Sequence, residues 1–283
     1  MIIWLASYPK SGNTYVRAFL SAYYFSAEGQ FDFSQISNID QFPHEKFFKQ
    51  KVNSISEASR QWIPIQREIN KDKKIKFFKT HSFLGDYQGN EFTSPETTLG
   101  AIYIVRDPRN VLTSLKNHYS FSDDNALKMI TDKKRSLMSN NGSHASLTFI
   151  SSWSENYLSW LKNKRFRRLF VKYEDIITNK YETFRDIIVF TNTLMNSVEG
   201  VNRSKLQKAI ESTNFNILKK KEISETFDGA ESSFKSWRKF HSENKNLFFN
   251  LGPENDWKRI LKPRISNQIE NSFEQEMKSL GYL

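Results

Sequence analysis

Short apolar runs alternate with helical patterns along this chain of 283 residues. Four runs have the near-continuous apolar character of strands that are buried on both faces of a sheet. They occupy residues 2–7, 74–80, 101–105 and 168–173. The alternation predicts an α/β protein with a central parallel sheet that is flanked by helices in three layers.

The turn after the first run, SYPKSGNT at residues 7–14, has the composition of a phosphate-binding loop. It leads into a helix in which Val16, Phe19, Leu20 and Tyr23 recur at i, i+3, i+4 and i+7. Backbone N–H groups at such a helix N-terminus favour an anion. The turn therefore predicts a P-loop-like fold. An ATP or GTP loop fits poorly, because the Gly-Lys-Ser/Thr that would hold magnesium is missing.

The remaining elements are predicted from capping and periodicity. Asp107 is expected to cap a helix that has Pro108 at its first position. Further helices are predicted over residues 175–192 and 265–280. Two polar stretches, 120–147 and 221–246, carry no clear pattern, and loops of this length are often lids or binding loops. Without a repeat or a linker, residues 1–283 are predicted to form a single domain.

Composition narrows the function further. The net charge of +11 and the sequence pI near 9.5 suit a polyanionic ligand, but the basic residues are scattered. The chain has no Cys, which excludes disulfides, thiolate metal sites and a Cys nucleophile. No apolar run approaches the length of a membrane span, and no signal peptide is visible, so a cytoplasmic location is expected.

One histidine has a position that suits catalysis. His81 follows the second apolar run, at the predicted carboxyl end of a strand, where open α/β sheets bind ligands. An imidazole accepts a proton at neutral pH, which makes His81 a candidate general base. Lys79, two residues earlier, is expected to share its face of the strand. The other histidines are interpreted as structural; they are His44, His118, His144 and His241.

The whole chain resembles the PAPS-dependent sulfotransferases (PAPS is 3′-phosphoadenosine 5′-phosphosulfate). YPKSGNTY at 8–15 resembles their 5′-phosphosulfate loop, which typically reads Tyr-Pro-Lys-Ser-Gly-Thr-Thr-Trp. Five more segments resemble the family in order along the chain: KTH at 79–81, IYIVRDPRNVLTSLKNHY at 102–119, KYEDI at 172–176, STNF at 212–215 and LGPENDWK at 251–258. The resemblance implies a sulfotransferase that uses PAPS, releases PAP (the desulfated cofactor) and needs no metal.

The resemblance also implies roles for individual residues. Lys10 is expected to neutralise the 5′-phosphate as the sulfuryl group departs, His81 to be the catalytic base and Lys79 a second active-site lysine. Arg106 and Ser114 are expected to hold the 3′-phosphate. The implied cofactor-binding residues are Lys10, Ser11, Gly12, Asn13, Thr14, Tyr15, Arg106, Ser114, Tyr173, Thr213, Phe215 and Gly252. Among these, Tyr173, Thr213 and Phe215 are expected to surround the adenine.

The chain departs from the family pattern at several positions. Tyr15 stands where the family usually has Trp, and an aromatic ring there still suits stacking on adenine; Asn13 replaces a Thr. Asn250 and Leu251 replace a basic pair that grips the 3′-phosphate. We hypothesise that Arg238 or Lys239, just upstream in the sequence, supplies the missing charge. The family's dimer motif is not recognisable, which leaves the oligomeric state open.

Three other functions remain open from the sequence. They are a nucleotide-dependent kinase, a PAP-binding protein without turnover and a nucleic-acid binder, the last suggested by charge alone. The expected partner is a small-molecule or saccharide acceptor and not a nucleic acid. The loops expected to form the acceptor pocket, 27–72, 120–150 and 221–246, carry no signature that identifies the acceptor.

Overall fold

A computed structural model describes residues 1–138, 144–224, 247 and 249–283. The strands are β1 (Ile2–Ser7), β2 (Asp40–Gln41), β3 (Lys76–Thr80), β4 (Asp86–Tyr87), β5 (Asn90–Glu91), β6 (Thr98–Val105), β7 (Ser136–Leu137), β8 (Thr148–Phe149) and β9 (Arg167–Lys172). The helices are α1 (Asn13–Phe25), α2 (Ile55–Ile69), α3 (Pro108–Tyr119), α4 (Asp123–Thr131), α5 (Trp153–Lys162), α6 (Tyr173–Thr178), α7 (Lys180–Leu194), α8 (Arg203–Ser212), α9 (Phe215–Ser224), α10 (Trp257–Ile260), α11 (Pro263–Ser272) and α12 (Glu274–Leu280). Short 3₁₀ turns occupy Phe33–Asn38, Glu45–Phe47, Asn70–Asp72, His144–Ser146 and Gly252–Glu254.

The central sheet has the strand order β2-β3-β1-β6-β9, and all its pairings are parallel. Near its carboxyl end, Ala6 of β1 lies opposite Thr80 of β3 on one side and Tyr103 of β6 on the other. The strand order reverses direction at β1, and such switch points form a ligand crevice beyond the carboxyl ends of the strands. The turns that follow β1, β3, β6 and β9 therefore meet at one edge of the sheet.

Alternate residues of β1 face opposite sides of the sheet, as the strand period of two requires. Ile3 and Leu5 pack with α1, α7 and α8, whereas Trp4 and Ala6 pack with α3, α5 and α11. The strand is buried on both sides, which explains its continuous apolar sequence. The three-layer architecture with a central parallel sheet is as predicted from the sequence.

The four predicted strands are all present, with ends that shift by up to three residues. Pro108 is the first residue of α3, and the Asp107 carboxylate accepts a hydrogen bond from the Arg109 backbone N–H at 2.9 Å, as predicted. The two long predicted helices each contain a break, at Asn179 between α6 and α7 and at Phe273 between α11 and α12. Asn179 and Phe273 have non-helical backbone angles.

The first patternless stretch, residues 120–147, contains α4 and β7, and β7 pairs with β8 in an antiparallel ladder. In the second stretch, 221–246, the structure describes the end of α9 only. Among the described helices, none combines the length and the apolar character needed to cross a membrane.

Candidate active site

The turn between β1 and α1 forms an anion site from its backbone. Lys10 and Gly12 both have left-handed backbone angles, with φ of +66° and +100°. Gly12 is the N-cap of α1 and no side chain caps the helix, so the N–H groups of its first turn are not taken up by a cap. Such an N-terminus carries partial positive charge and attracts phosphate. The turn thus has the conformation of an anion-binding loop.

Gly12 is required by its surroundings as well as by its backbone angle. A Cβ atom at position 12 would lie 2.4 Å from Cδ2 of Tyr173, the first residue of α6. The same ring is in contact with Arg106, whose guanidinium carbon lies 4.1 Å from the ring centroid. The phosphate loop, the end of β6 and the start of α6 are therefore in direct contact.

Arg106 joins the loop to a distant part of the chain. It follows β6, is 5% exposed and donates from Nη1 to the Lys10 carbonyl oxygen at 3.1 Å. Its Nη2 donates to the Gly252 carbonyl oxygen at 3.4 Å. Phe215 lies against Gly252, where an added Cβ would be 2.3 Å from the aromatic ring. Arg106, Tyr173, Phe215 and Gly252, which were predicted separately from the sequence, thus form one contiguous group with the loop.

Lys10 has unusual electrostatics. Burial, together with the neighbouring cations Arg106 and Lys79, lowers the pKa of Lys10 to about 7, while the carboxylate of Glu222 acts in the opposite direction. Three basic side chains therefore converge at this edge of the sheet. Their mutual repulsion favours a bound polyanion, which would offset it.

His81 lies directly after β3 and points its ring toward the end of β1. Its Nδ1 lies 2.8 Å from the Ser7 carbonyl oxygen and 3.2 Å from Ser7 Oγ. A carbonyl oxygen only accepts, so Nδ1 carries the proton and Nε2 carries the lone pair. Burial and the charges of Lys79 and Lys10 lower the pKa of His81 to about 3, while the hydrogen bond to Ser7 raises it. The imidazole is therefore neutral at pH 7, the form that a general base needs.

Lys79 is held by the edge strand of the sheet. Its Nζ donates to Gln41 Oε1 of β2 at 3.2 Å, and it is half-buried. Its charge lowers the pKa values of both His81 and Lys10, which means that the three groups are close enough to interact.

Three of the predicted loop residues are buried. Asn13 donates from Nδ2 to the Leu5 carbonyl oxygen at 3.0 Å and to Ser7 Oγ at 3.2 Å, so it ties the loop back to β1. Tyr15 is buried in the core with its ring edge-on to Phe184, at 5.7 Å between centroids. Ser11 is fully buried, and its Oγ has no hydrogen-bond partner among the described residues.

The remaining predicted residues among those described are Thr14, Ser114 and Thr213. Thr14 is half-buried at the start of α1, and Ser114 is half-buried on the second turn of α3. Thr213 is fully buried and donates from Oγ1 to the Ala209 carbonyl oxygen at 2.6 Å. Arg238 and Lys239 lie outside the described residues. Within the described part of the chain, no group of three or more His, Cys, Asp or Glu side chains has the arrangement of a metal site.

The family model for the sulfotransferase domain matches residues 2–281. The chain belongs to the sulfotransferase family. The sulfotransferase shares its fold with mouse sulfotransferase SULT7A1 complexed with PAP, at a TM-score of 0.58 and 19% identity over 98% of this chain and 84% of that chain. No curated protein sequence shows a significant match.

Two structures of retinol dehydratase also share the fold. The complex with androsterone and inactive cofactor PAP has a TM-score of 0.57 at 16% identity. The match covers 98% of the present chain and 80% of the retinol dehydratase chain. The complex with retinol and PAP has a TM-score of 0.58 at 14% identity. This match covers 98% of the present chain and 81% of the retinol dehydratase chain. The predicted enzyme class is confirmed by the family, and the predicted PAPS dependence agrees with these findings.

Sequence reasoning missed several residues that shape the site of this sulfotransferase. Asn156 of α5 is fully buried and donates from Nδ2 to the His81 carbonyl oxygen at 3.0 Å and to the Ile150 carbonyl oxygen at 2.8 Å. The charge of Glu222 of α9 raises the pKa of Lys10, against the effect of burial and of the neighbouring cations. The one available signal was the acidic residue that ends the basic run LKKKE. Gln41 carries no local signal, because it acts on Lys79, 38 residues further along the chain.

Proposed function

We propose that this sulfotransferase moves the sulfuryl group of PAPS to a hydroxyl or amine of an acceptor, with His81 as the base and Lys10 as the cation at the leaving phosphate. The observation that carries the proposal is the convergence of Lys10, Arg106 and His81 at the carboxyl ends of three adjacent strands. Each residue comes from a different motif, and the chemistry needs all of them at one place.

Two buried donors at the loop favour a bound phosphosulfate. Ser11 Oγ and Arg106 Nε are buried polar atoms without a hydrogen-bond partner among the described residues. Buried donors in proteins are normally satisfied, so these suit an anion seated on the loop. The N–H groups at the start of α1 and the Lys10 cation would bind its 5′-phosphate side, with Gly12, Asn13, Thr14 and Tyr15 forming the turn that holds them.

Sulfuryl transfer breaks the bond from sulfur to the bridging oxygen of the donor and forms a bond from sulfur to the acceptor oxygen or nitrogen. Nε2 of His81 accepts the acceptor's proton, because Nδ1 is committed to the Ser7 carbonyl. Lys10 neutralises the charge that develops on the leaving 5′-phosphate, and Lys79 adds positive potential beside both groups. An anion bound near the two lysines offsets their charges and so raises the pKa of His81 from its low value.

The rest of the donor is assigned by position. Arg106 and Ser114 would bind the 3′-phosphate, and Tyr173, Thr213, Phe215 and Gly252 would surround the adenosine. Tyr15, by contrast, packs in the core against Phe184, so its contribution would be to position the loop. The contacts between Gly12 and Tyr173 and between Gly252 and Phe215 support a continuous surface for the nucleotide.

We further propose a small-molecule or saccharide acceptor, a cytoplasmic location and a single domain over residues 1–283. No metal is needed for the proposed chemistry, because all the charge stabilisation it requires comes from basic side chains and backbone N–H groups.

The proposal is tested with labelled PAPS and a panel of acceptors that includes p-nitrophenol, a long-chain alcohol, an amine and a monosaccharide. We expect transfer to at least one acceptor class, and its loss in His81→Ala, because the base acts on the acceptor alone. PAP binding, followed by calorimetry, should be nearly unchanged in that variant. His44→Ala is the matched control, since His44 caps a 3₁₀ turn and has no role in the proposed proton transfer.

Retention of most activity by His81→Ala would assign the base to another group. A wild-type protein that ignores PAP but is stabilised by ATP with magnesium would contradict the donor assignment itself. A bound ligand at a hundred times its dissociation constant adds about 2.7 kcal/mol to stability, which thermal unfolding resolves.

A further inference from the structure

One face of α9 packs along residues 249–252. Phe215, Lys219 and Glu222 are spaced at i, i+4 and i+7, so they lie on the same side of the helix. Phe215 packs on Gly252, the Lys219 Nζ donates to the Asn250 carbonyl oxygen at 2.8 Å, and Glu222 Oε2 accepts from the Phe249 N–H at 2.8 Å. The three contacts run antiparallel to residues 249–252 and fix that segment against the helix.

The same segment is in contact with Arg106 from the other side, through the Gly252 carbonyl oxygen at 3.4 Å. Two cations, Arg106 and Lys219, therefore hold carbonyl groups only two residues apart. The Cα atoms of Asn250 and Gly252 lie within about 7.6 Å of each other, because each of the two trans peptides between them spans 3.8 Å. Leu251, between them, is 37% exposed and brings no charge.

We propose that Lys219 supplies the cation that Asn250 and Leu251 do not provide, and that with Arg106 it selects donors carrying a 3′-phosphate. The inference rests on the proposed function. Among the described residues, the Lys219 ammonium contacts a carbonyl and forms no ion pair. Its four-carbon stem and three donors let it keep that contact while a further N–H meets a phosphate oxygen.

Neighbouring groups on α9 support this assignment. Glu222, the nearby acid one turn further along, is engaged by the Phe249 N–H and lies within electrostatic reach of Lys10. Lys219 instead contacts the Asn250 carbonyl oxygen, one residue nearer to Gly252. The Lys219 cation therefore lies against the backbone of a residue at which the family pattern has a basic side chain, and the Glu222 carboxylate beside it acts on the loop lysine.

The experiment titrates PAP and AMP into the wild type, Lys219→Met, Lys219→Arg and the control Lys208→Met. Lys208 is an exposed α8 residue paired with Glu28, and its substitution removes the same charge elsewhere. Lys219→Met should reduce the preference for PAP over AMP by tenfold or more, which is the range for a lost charge-assisted hydrogen bond. AMP affinity should be unchanged, Lys219→Arg should keep most of the preference, and Lys208→Met should match the wild type.

A preference that survives Lys219→Met unchanged would overturn the inference and return the role to Arg238 or Lys239. An equal loss of PAP and AMP affinity would also overturn it, since that is the effect of a residue that only holds the fold. If the wild type binds neither nucleotide, the proposed function itself fails, and the two failures are thereby distinguished.

Discussion

Among single residues, Lys10 has the most direct electrostatic consequence. Its pKa of about 7 lies well below the ordinary value of 10.5, so it loses its proton near neutral pH when no anion is present. An anion binds the protonated form more tightly, and binding therefore weakens as the pH rises above about 7. We expect PAP affinity, measured by calorimetry from pH 6.5 to 9, to fall with pH in the wild type.

Lys10→Arg separates this effect from the titration of PAP itself. A guanidinium stays charged over the whole range, so the variant should show a flatter pH dependence even if its affinity is lower. Equal slopes for the two proteins would mean that Lys10 does not titrate in this window.

The elements of the site meet at Gly12, where α1 begins against α6. Gly12→Ala combines a left-handed backbone angle with a 2.4 Å contact to the Tyr173 ring, so the ring or the loop must move. Gly89, in the β4–β5 turn, has φ of +81° and open space around its Cβ position, which makes Gly89→Ala the matched control for strain alone.

We expect Gly89→Ala to cost about 1–2 kcal/mol of unfolding free energy and to leave PAP binding intact. Gly12→Ala should cost more in thermal or urea unfolding and should weaken PAP binding by tenfold or more, since Tyr173 also supports Arg106. Equal behaviour of the two variants would show that the Tyr173 contact is unimportant.

Some boundaries of the helices and strands could be predicted from the local sequence, and others could not. The strand at residues 2–7, the start of α3 and the loop were predictable because apolar runs, a proline cap and glycine act locally. The break between α11 and α12 at Phe273 was not predictable, because the sequence there contains no Gly or Pro. The Phe273 ring is buried, and its centroid lies 5.2 Å from that of the Trp153 ring. This tertiary contact sets the helix end.

The candidate site divides in the same way. Lys10, His81 and Arg106 lie in segments whose residue types suggest their chemistry. Asn156 donates a hydrogen bond to the His81 carbonyl oxygen, and the Glu222 carboxylate raises the pKa of Lys10. Both partners are far away in the chain, and no motif near Asn156 or Glu222 indicates these interactions. Pairings of this kind depend on the packing of α5 and α9 against the sheet, which periodicity alone does not specify.

For the whole molecule, the low pKa of His81 links stability to acidity. The unfolded imidazole takes a proton below its ordinary pKa of 6.5, whereas the folded one resists protonation down to about 3. Between these values the unfolded state binds more protons, so the stability contributed by His81 is lost as the pH falls. His81→Gln should therefore lose less unfolding free energy than the wild type between pH 6.5 and pH 4.

Urea unfolding at a series of pH values measures this difference in slope. His44→Gln serves as the comparison, and we expect it to follow the wild type. A His81→Gln variant with the wild-type slope would indicate that His81 becomes protonated in the folded protein at an ordinary pH.

The pairing of β1 with β3 has a consequence for reaction geometry. Ala6 lies opposite Thr80, so His81, the proposed base after β3, and the loop after β1 start from neighbouring strands about 4.8 Å apart. A shift of one residue between the strands would displace His81 by about 3.3 Å and reverse its side. The apolar contacts that fix this pairing, such as Trp4 on Phe78, therefore set the distance between His81, the proposed proton acceptor, and the loop proposed to hold the leaving group. Core substitutions there are expected to change turnover through misalignment, even where every polar residue of the site is retained.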